Sequence, residues 1–344
     1  MSAKTVKIGS LELGKGKIYI QSMLSVPAEN IGDSVKQAAE LEAAGCDIIR
    51  AAVPAVKDAA LIAALKNAVC CPIVADIHFD YKIALECVAA GVDKIRINPG
   101  NIGSPDKIRA VADACRAKKI PIRIGVNSGS LEKERLEKYG SPTPEALTES
   151  ALNHVKLLNQ CDFDDIVISI KSSDVKTTIA AYRLLAQKTD YPLHLGVTEA
   201  GTERMGIIKS AVGIGSLLCD GIGDTIRVSL TADPVREVYA AKDILRACGM
   251  GGGAELISCP TCGRTQIDLI SLAGQVEKLL ETVDKPIKVA VMGCAVNGPG
   301  EAREADIGIA GGKGEGLIFK KGEILRKVPE GKLLEELKKE IDLL

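Results

Sequence analysis

The sequence predicts an α/β protein: a (β/α)8 TIM barrel over residues 1–250, followed by a small α/β domain over residues 251–344. Two observations predict this division. Between residues 18 and 230, short apolar runs alternate eight times with stretches of helical periodicity, as in an all-parallel barrel sheet. A glycine-rich stretch at 249–253 then resembles a linker, and the pattern changes after it.

The predicted barrel strands are apolar runs bounded by Gly, Pro and Asp. They cover residues 18–23, 47–53, 72–78, 94–99, 121–127, 166–171, 193–199 and 225–230. Stretches rich in Ala, Leu and Lys between them predict helices, for example at 33–44, 59–68, 81–90, 105–117, 144–158 and 175–188. Ser104-Pro105 and Thr143-Pro144 place a capping residue before a first-turn proline. A doubly wound open sheet is the structural alternative, and the size and spacing of the units favour the barrel.

The second domain is predicted from a different order of elements. After a helix at 234–247 and the glycine-rich linker, strands are expected near 255–258, 288–292, 306–310 and 316–320, and helices at 266–283 and 332–343. This set amounts to a small α/β domain.

Composition argues against several classes of protein. The net charge is −1, so no strong field points to nucleic acid or to a membrane surface. Aromatic residues make up only 3%, which leaves little material for base stacking. No apolar run resembles a signal peptide or approaches the ~20 residues of a membrane span. We therefore expect a cytoplasmic protein without nucleic-acid or membrane partners.

The 11 cysteines fit a reducing compartment, in which thiols stay free or bind metal. Cys46, Cys87, Cys115 and Cys219 lie in Ala-, Leu- and Val-rich stretches and are interpreted as small packing residues.

Cys259, Cys262 and Cys294 form the candidate metal site. The Cys259-Pro-Thr-Cys262 spacing brings two thiolates close enough to share a metal centre, although redox disulfides and zinc ribbons also use it. Cys294 follows a predicted strand in a turn-rich loop whose amides can hydrogen-bond to sulfur. All three histidines lie in the barrel, so the second domain alone cannot complete a structural zinc site. Three cysteines and an oxygen donor suit an iron–sulfur cluster with one exchangeable iron.

Glu301 is the nearest candidate for the oxygen donor, because a Gly-Pro-Gly turn presents it after Cys294. A solvated surface carboxylate is the alternative for Glu301. A redox disulfide or a set of buried thiols is the alternative for the cysteines.

Several predicted barrel strands carry polar residues where branched apolar side chains are usual. Alternation with period two places Arg96 with Asn98, Arg123 with Asn127, and Arg227 with Ser229 on one face. If these faces point inward, the cations converge on one cavity, and a phosphate or diphosphate would compensate them.

Internal pairing of the arginines with Asp76 and Glu199 is the alternative. Glu199 ends its strand and can also act as a general acid or base. His78 and His194 fit equally well as hydrogen-bonded barrel residues or as ligand contacts. Neither a dinucleotide-binding nor a phosphate-loop glycine motif is present, which argues against nucleotide binding.

Together these motifs resemble the bacterial family of 4-hydroxy-3-methylbut-2-enyl diphosphate synthases. The resemblance runs nearly end to end. It is carried by the segments 74–79, 96–103, 121–127, 194–201, 259–262 and 297–301, of which the last two at this spacing are highly specific.

The resemblance implies a [4Fe–4S] cluster held by Cys259, Cys262, Cys294 and Glu301. It implies a homodimer in which the cluster domain of one subunit caps the barrel of the other. The implied reaction is the reductive ring opening and dehydroxylation of 2-C-methyl-D-erythritol 2,4-cyclodiphosphate in isoprenoid biosynthesis, with two electrons from reduced ferredoxin or flavodoxin.

The substrate diphosphate is assigned to the cations of the barrel mouth, with two neutral donors. Arg50 and Lys209 are included mainly because of the resemblance, and Glu199 and Glu301 are assigned catalytic roles. The loop 202–205 differs in charge from a generic phosphate clamp and is left out of the site. The predicted substrate-binding residues are Arg50, Arg96, Arg123, Asn127, Lys209, Arg227 and Ser229.

Two other functions fit parts of the pattern. One is a non-redox barrel enzyme that acts on a phosphorylated substrate and carries a structural zinc site. The other is a regulatory barrel that senses a phosphorylated metabolite through its cysteines.

Overall fold

The computed structural model describes residues 2–281, 283, 285–294 and 302–344. The chain divides into two compact units, Met1–Gly249 and Met250–Leu344. Among the described residues, no helix combines the length and apolar character needed to cross a membrane.

A short antiparallel hairpin opens the first unit, formed by β1 (Val6–Ile8) and β2 (Leu11–Leu13). This hairpin is not predicted from the sequence pattern. Its buried side chains pack with apolar residues from the start of the barrel strands, which gives the barrel an apolar floor. The members of this floor are Val6, Ile8, Leu13, Tyr19, Ile48, Val74 and Val167.

The barrel consists of eight parallel strands. They are β3 (Tyr19–Met23), β4 (Ile48–Ala52), β5 (Ile73–Asp76), β6 (Lys94–Ile97), β7 (Ile122–Asn127), β8 (Ile166–Lys171), β9 (His194–Leu195) and β10 (Thr225–Ile226). A parallel bridge between Ile168 and Leu193 closes the sheet between β8 and β9. The predicted barrel is therefore confirmed, and the open sheet is excluded.

The last two barrel strands are shorter than predicted. β9 and β10 each contain two residues, whereas the apolar runs suggested 193–199 and 225–230. After β9, Glu199 adopts a φ of 51° and Gly201 a φ of 112°, so the backbone cannot continue as a strand.

Ten helices of the first unit are described. They are α1 (Ile31–Ala43), α2 (Ala60–Ala68), α3 (Tyr81–Ala89), α4 (Pro99–Ile102), α5 (Pro105–Lys118), α6 (Lys133–Tyr139), α7 (Pro144–Asn159), α8 (Val175–Ala186), α9 (Glu203–Cys219) and α10 (Pro234–Ala247). Thr143 caps α7 by accepting a hydrogen bond from the Ala146 amide at 3.2 Å.

The helices cover the outward faces of the strands in one apolar core. Cys46, Cys87 and Cys115 are buried in it, as predicted. Cys219 is exposed at the end of α9, so the packing interpretation is wrong for that residue.

The second unit is built on a five-stranded sheet within the described residues. The strands β11 (Glu255–Ser258), β12 (Lys288–Met292), β13 (Ile307–Gly311), β14 (Glu315–Lys320) and β15 (Glu323–Pro329) follow one another in space as in sequence. The first three run parallel and the last two pairings are antiparallel. Strand β15 was not predicted, because most of its residues are exposed and its apolar residues do not alternate with polar ones. Helices α11 (Leu269–Leu280) and α12 (Leu333–Asp342) complete the core.

Gly308→Ala is expected to destabilise the second unit. In β13, a β-carbon at Gly308 would lie 2.4 Å from Phe319 Cζ and 2.9 Å from Ala290 Cβ. Such overpacking costs about 1–3 kcal/mol, which should appear as a lower midpoint of urea unfolding. Gly274→Ala in α11 is the matched control, because no atom lies within 4 Å of a β-carbon there. The control should gain stability, and a loss of similar size in both variants would contradict the packing argument.

Candidate active site

Charged and polar side chains fill the barrel above its apolar floor. They follow from the alternation of the strands, because residues on the same face as the floor residues Ile48, Val74 and Val167 point inward. The inward set comprises Gln21, Arg50, Asp76, Lys94, Arg96, Arg123, Ser169, Lys171 and His194, and all of them are buried.

Asp76 is the centre of the arginine cluster. Its Oδ1 accepts a hydrogen bond from Arg96 Nη1 at 3.0 Å, and its Oδ2 lies 3.6 Å from Arg50 Nε. Burial alone would raise the pKa of Asp76, but the neighbouring charges of Arg50, Arg96 and Arg123 lower it well below its usual range. Internal pairing, the alternative considered from sequence, therefore accounts for part of the cluster.

A second carboxylate, Glu237, was missed by the sequence analysis. It lies on α10 and pairs with Arg227 through contacts of 3.1 Å to Nη2 and 3.2 Å to Nε. It also accepts hydrogen bonds from Ser22 Oγ at 3.0 Å and from the Leu230 amide at 3.1 Å. The sequence feature that could have revealed this buried carboxylate is a glutamate on the apolar face of a helix, beside Val238 and Ala241.

The remaining cations lack carboxylate partners within the described part of the barrel. Arg123 is 1% exposed, and its one side-chain hydrogen bond goes to Gln21 Oε1 at 3.3 Å. Arg123 Nε, Arg96 Nε and Lys94 Nζ are buried with no hydrogen-bond partner among the described residues, as is the Gln21 amide nitrogen. These groups are donors without acceptors, a chemistry that suits an anionic partner.

Burial also shifts the pKa values of the cations. It lowers the pKa of Arg50 to about 10, with further lowering by Arg227 and Arg96 and partial compensation by Asp76. The pKa of Lys94 lies well below its ordinary value because of burial and the charges of Arg123 and Arg50. Lys171 is shifted in the same direction by burial and by four arginines. A bound anion would reverse these shifts by favouring the charged forms.

His194 is a buried barrel residue. Its Nδ1 lies 2.8 Å from Thr225 Oγ1, and its Nε2 has no partner among the described residues. Burial and the charges of Arg123 and Lys171 hold the pKa of His194 well below its usual value, which favours the neutral ring.

The structure brings together most of the predicted substrate-binding residues. Arg50, Arg96, Arg123 and Arg227 share one network of charges. Asn127 ends β7 in register with Lys171, and Ser229 follows Arg227 after β10. Lys209 lies on α9, not on a barrel strand, and is half-buried. Lys94 and Lys171 are the cations that the prediction omitted.

Glu199 is exposed at the carboxyl end of β9 and has a left-handed backbone conformation, with a φ of 51°. This conformation costs a non-glycine residue free energy and clusters at functional sites. The ion pair between Glu199 and the arginines that the sequence suggested is not seen among the described residues. Asp76 and Glu237 are the carboxylates that pair with Arg96 and Arg227 instead.

In the second unit, the two cysteine segments meet at the carboxyl ends of β11 and β12. The Gly293 amide donates to Cys259 Sγ at 3.2 Å, and the Gln266 amide donates to Gly293 O at 2.9 Å. Because Cys294 directly follows Gly293, this contact brings the third cysteine next to the Cys259–Cys262 loop. Cys262 is exposed, Cys259 half-buried and Cys294 buried, and all three thiols are free.

The three cysteines are the candidate metal ligands of the second unit. No three Cys, His, Asp or Glu side chains in the described ranges converge closely enough for one metal ion. Hydrogen bonds from the Arg264 amide and side chain lower the pKa of Cys262, which favours the thiolate that a metal requires. The Gly293 amide donates a hydrogen bond to Cys259 Sγ, a contact that can orient a metal ligand. Glu301 lies outside the described residues.

Comparison with known proteins places both units in one family. The family model described as GcpE TIM-barrel domain matches residues 3–242, and the one described as GcpE protein C-terminal domain matches residues 255–343. The chain belongs to the GcpE family. The resemblance found in the sequence is thereby confirmed.

Curated relatives match over the whole chain. One from Clostridium perfringens is 61% identical and covers 98% of each chain, and one from Clostridium acetobutylicum is 58% identical and covers 99% of each. Both are named 4-hydroxy-3-methylbut-2-en-1-yl diphosphate synthase (flavodoxin).

Solved structures support the barrel fold alone. Dihydropteroate synthase from Yersinia pestis matches with a TM-score of 0.51 at 16% identity, covering 71% of this chain and 97% of that one. The enzyme from Stenotrophomonas maltophilia matches with a TM-score of 0.52 at 14% identity, with coverage of 71% and 97%.

Lys94→Met is expected to raise the free energy of unfolding by about 1–3 kcal/mol near neutral pH, because it removes a buried amine without a partner. Burial depresses the pKa of Lys94 in the folded state below the ordinary 10.5. Between the pKa of the folded state and that of the unfolded state, the unfolded state therefore binds more protons. Wild-type stability therefore rises with pH across that interval, and the advantage of the variant should shrink.

Urea unfolding between about pH 7 and about pH 10 measures this difference. The control is Lys66→Met, which removes the partner of Asp93 at 2.7 Å and should destabilise the protein. An advantage of Lys94→Met that grows with pH would contradict the prediction.

Proposed function

We propose that the protein is the oxidoreductase that converts 2-C-methyl-D-erythritol 2,4-cyclodiphosphate into 4-hydroxy-3-methylbut-2-enyl diphosphate in isoprenoid biosynthesis. The reaction opens the ring and removes one hydroxyl as water, with the uptake of two electrons. The observation that carries this proposal is the full-length match to relatives that share one enzyme name. A barrel rich in unpaired buried donors supports the anionic substrate.

The substrate diphosphate belongs at the cations of the barrel. Arg50, Arg96, Arg123 and Arg227 offer forked donors, and Lys94 and Lys171 add charge beside them. Asn127 and Ser229 are proposed as neutral donors. Lys209 stays a prediction based on the resemblance.

Glu199 is proposed to hold or move a proton at its carboxylate. It is exposed after β9, no ion pair with the arginines is seen among the described residues, and its left-handed backbone is a conformation that clusters at functional sites.

Cys259, Cys262 and Cys294, with Glu301, would hold a [4Fe–4S] cluster, because the amide of Gly293, which precedes Cys294, donates to Cys259 Sγ and hydrogen bonds from Arg264 favour the Cys262 thiolate. When bound, such a cluster supplies single electrons and a Lewis-acidic iron. The electron donor is proposed to be reduced flavodoxin, which the names of the relatives contain, with ferredoxin as the second candidate. The homodimer and the cytoplasmic location stay predictions.

The proposal is tested with anaerobically purified protein. Iron and acid-labile sulfide are measured first, and turnover of the cyclodiphosphate is then assayed with reduced flavodoxin. Iron, sulfide and product together support the proposal. Stoichiometric zinc without sulfide would instead favour a non-redox barrel enzyme, and a fully loaded protein without turnover would favour the regulatory role.

Cys294→Ser is expected to abolish both the visible absorbance of the cluster and the activity, because a hydroxyl replaces a thiolate ligand. Cys70→Ser is the control, since Cys70 is an exposed free thiol in the first unit. The control should retain iron, sulfide and activity. Retained absorbance in Cys294→Ser would remove Cys294 from the ligand set.

Glu301→Ala is expected to leave a more labile cluster and very low activity, because three thiolates would remain without the fourth ligand. Iron content and visible absorbance are followed over time, beside the rate of turnover. Full activity with a stable cluster would show that the carboxylate is not a ligand.

A further inference from the structure

The guanidinium of Arg96 lies directly against Gly125, on the neighbouring strand. A β-carbon at position 125 would stand 2.5 Å from Arg96 Nε, 2.7 Å from Nη2 and 3.0 Å from Cζ. Such distances are far shorter than the optimal separation of about 3.5–4.0 Å between non-bonded carbon atoms. Any side chain at this position would therefore displace the guanidinium.

The backbone gives no other reason for a glycine here. Gly125 lies inside β7, in register with Ser169 of β8, and its φ is not among the positive values of the chain. A glycine in a strand interior weakens the strand and often marks a close approach by another group. Here the approaching group is a buried cation, with its side chain 10% exposed.

Arg96 is held from two sides. On one side, its Nη1 donates to Asp76 Oδ1 at 3.0 Å, and on the other its Nε and Nη2 face Gly125. The strand register places Arg96 beside Arg123, another buried cation. A guanidinium pushed away from Gly125 would have to approach Arg123 or leave Asp76, and both moves are unfavourable.

We propose that Gly125 is a positioning residue that fixes the Arg96 guanidinium for diphosphate binding, an inference that rests on the proposed function. The absent side chain leaves room for the guanidinium to lie against the barrel wall. Its Nε, which has no partner among the described residues, is then free to donate to an anion.

A second glycine shows the same arrangement but gives a less direct test. A β-carbon at Gly196 would lie 3.0 Å from Lys171 Nζ but also 2.8 Å from the backbone oxygen of Arg227. A substitution there would disturb the backbone as well as the cation. At Gly125, the three nearest atoms all belong to the Arg96 side chain.

The test compares pyrophosphate binding by calorimetry in the full chain. Gly125→Ala leaves the net charge unchanged, and it should weaken binding about 10- to 100-fold, the range expected for losing hydrogen bonds from one charged group. Gly129→Ala is the matched control, because Gly129 is exposed, lies just after β7, and has no atom within 4 Å of a β-carbon. The control should bind as the wild type does.

A double-mutant cycle separates positioning from a general structural effect. Arg96→Ala should weaken binding by a similar factor in the wild type, but by less than about twofold in the Gly125→Ala background. Independent losses that multiply would overturn the proposal, as would unchanged affinity in Gly125→Ala. If Arg96→Ala itself has no effect on affinity, the diphosphate site assigned to Arg96 fails, and the positioning role fails with it.

If Gly125→Ala folds too poorly for binding to be measured, thermal unfolding tests the proposal instead. Removing the guanidinium in Arg96→Ala/Gly125→Ala vacates the space that the new methyl group needs. The double variant should then be more stable than Gly125→Ala alone. No recovery would show that the guanidinium is not what the β-carbon meets, and the proposal would be wrong.

Discussion

The uncompensated positive charge inside the barrel is the constraint on which the first unit depends. Arginines and lysines from four strands, with Arg227 after β10, point into a space where Asp76 and Glu237 are the buried carboxylates that pair with them. Burying such a set in a low-dielectric interior costs free energy, which the rest of the unit must offset. The apolar shell of helices and the floor closed by the β1–β2 hairpin bury the apolar surface that offsets it. The buried donors without acceptors are the groups that the proposed function assigns to an anion.

Space is the second requirement, because several long cationic side chains must share one barrel. The glycines on β7 and after β9 meet it, since Arg96 lies over Gly125 and Lys171 reaches over Gly196. Polar residues thus line the barrel beside the cations, and glycines leave the space that the long cationic side chains occupy. Charge and glycine placement are two parts of one arrangement, which explains why glycines occur at these positions without any need for a positive φ.

Much of this arrangement could be predicted from the sequence, because a strand has a period of two and its inward residues can be identified directly. Arg96, Arg123 and Arg227 were found in this way. Glu237 was missed because its contact with Arg227 depends on how α10 packs, which no local pattern encodes. Strand β15 was missed because it lacks alternating apolar residues, and the ends of β9 and β10 were misplaced because apolar residues continue beyond the hydrogen-bonded ladder.

Both candidate sites include residues at the carboxyl ends of parallel strands. In the first unit Asn127 and Lys171 end β7 and β8, although Lys94 begins β6, and in the second unit the cysteines follow β11 and β12. Adjacent parallel strands bring residues distant in sequence together at one edge, so Cys259 and Gly293 meet through strand register alone. The two candidate sites differ in the chemistry that their residues suit. Buried ammonium and guanidinium groups bind charge but transfer no electrons, whereas thiolates supported by amides suit a redox group but carry no affinity for a diphosphate. The proposed reaction would use both sets of residues, the cations for the anionic substrate and the thiolates for the redox group.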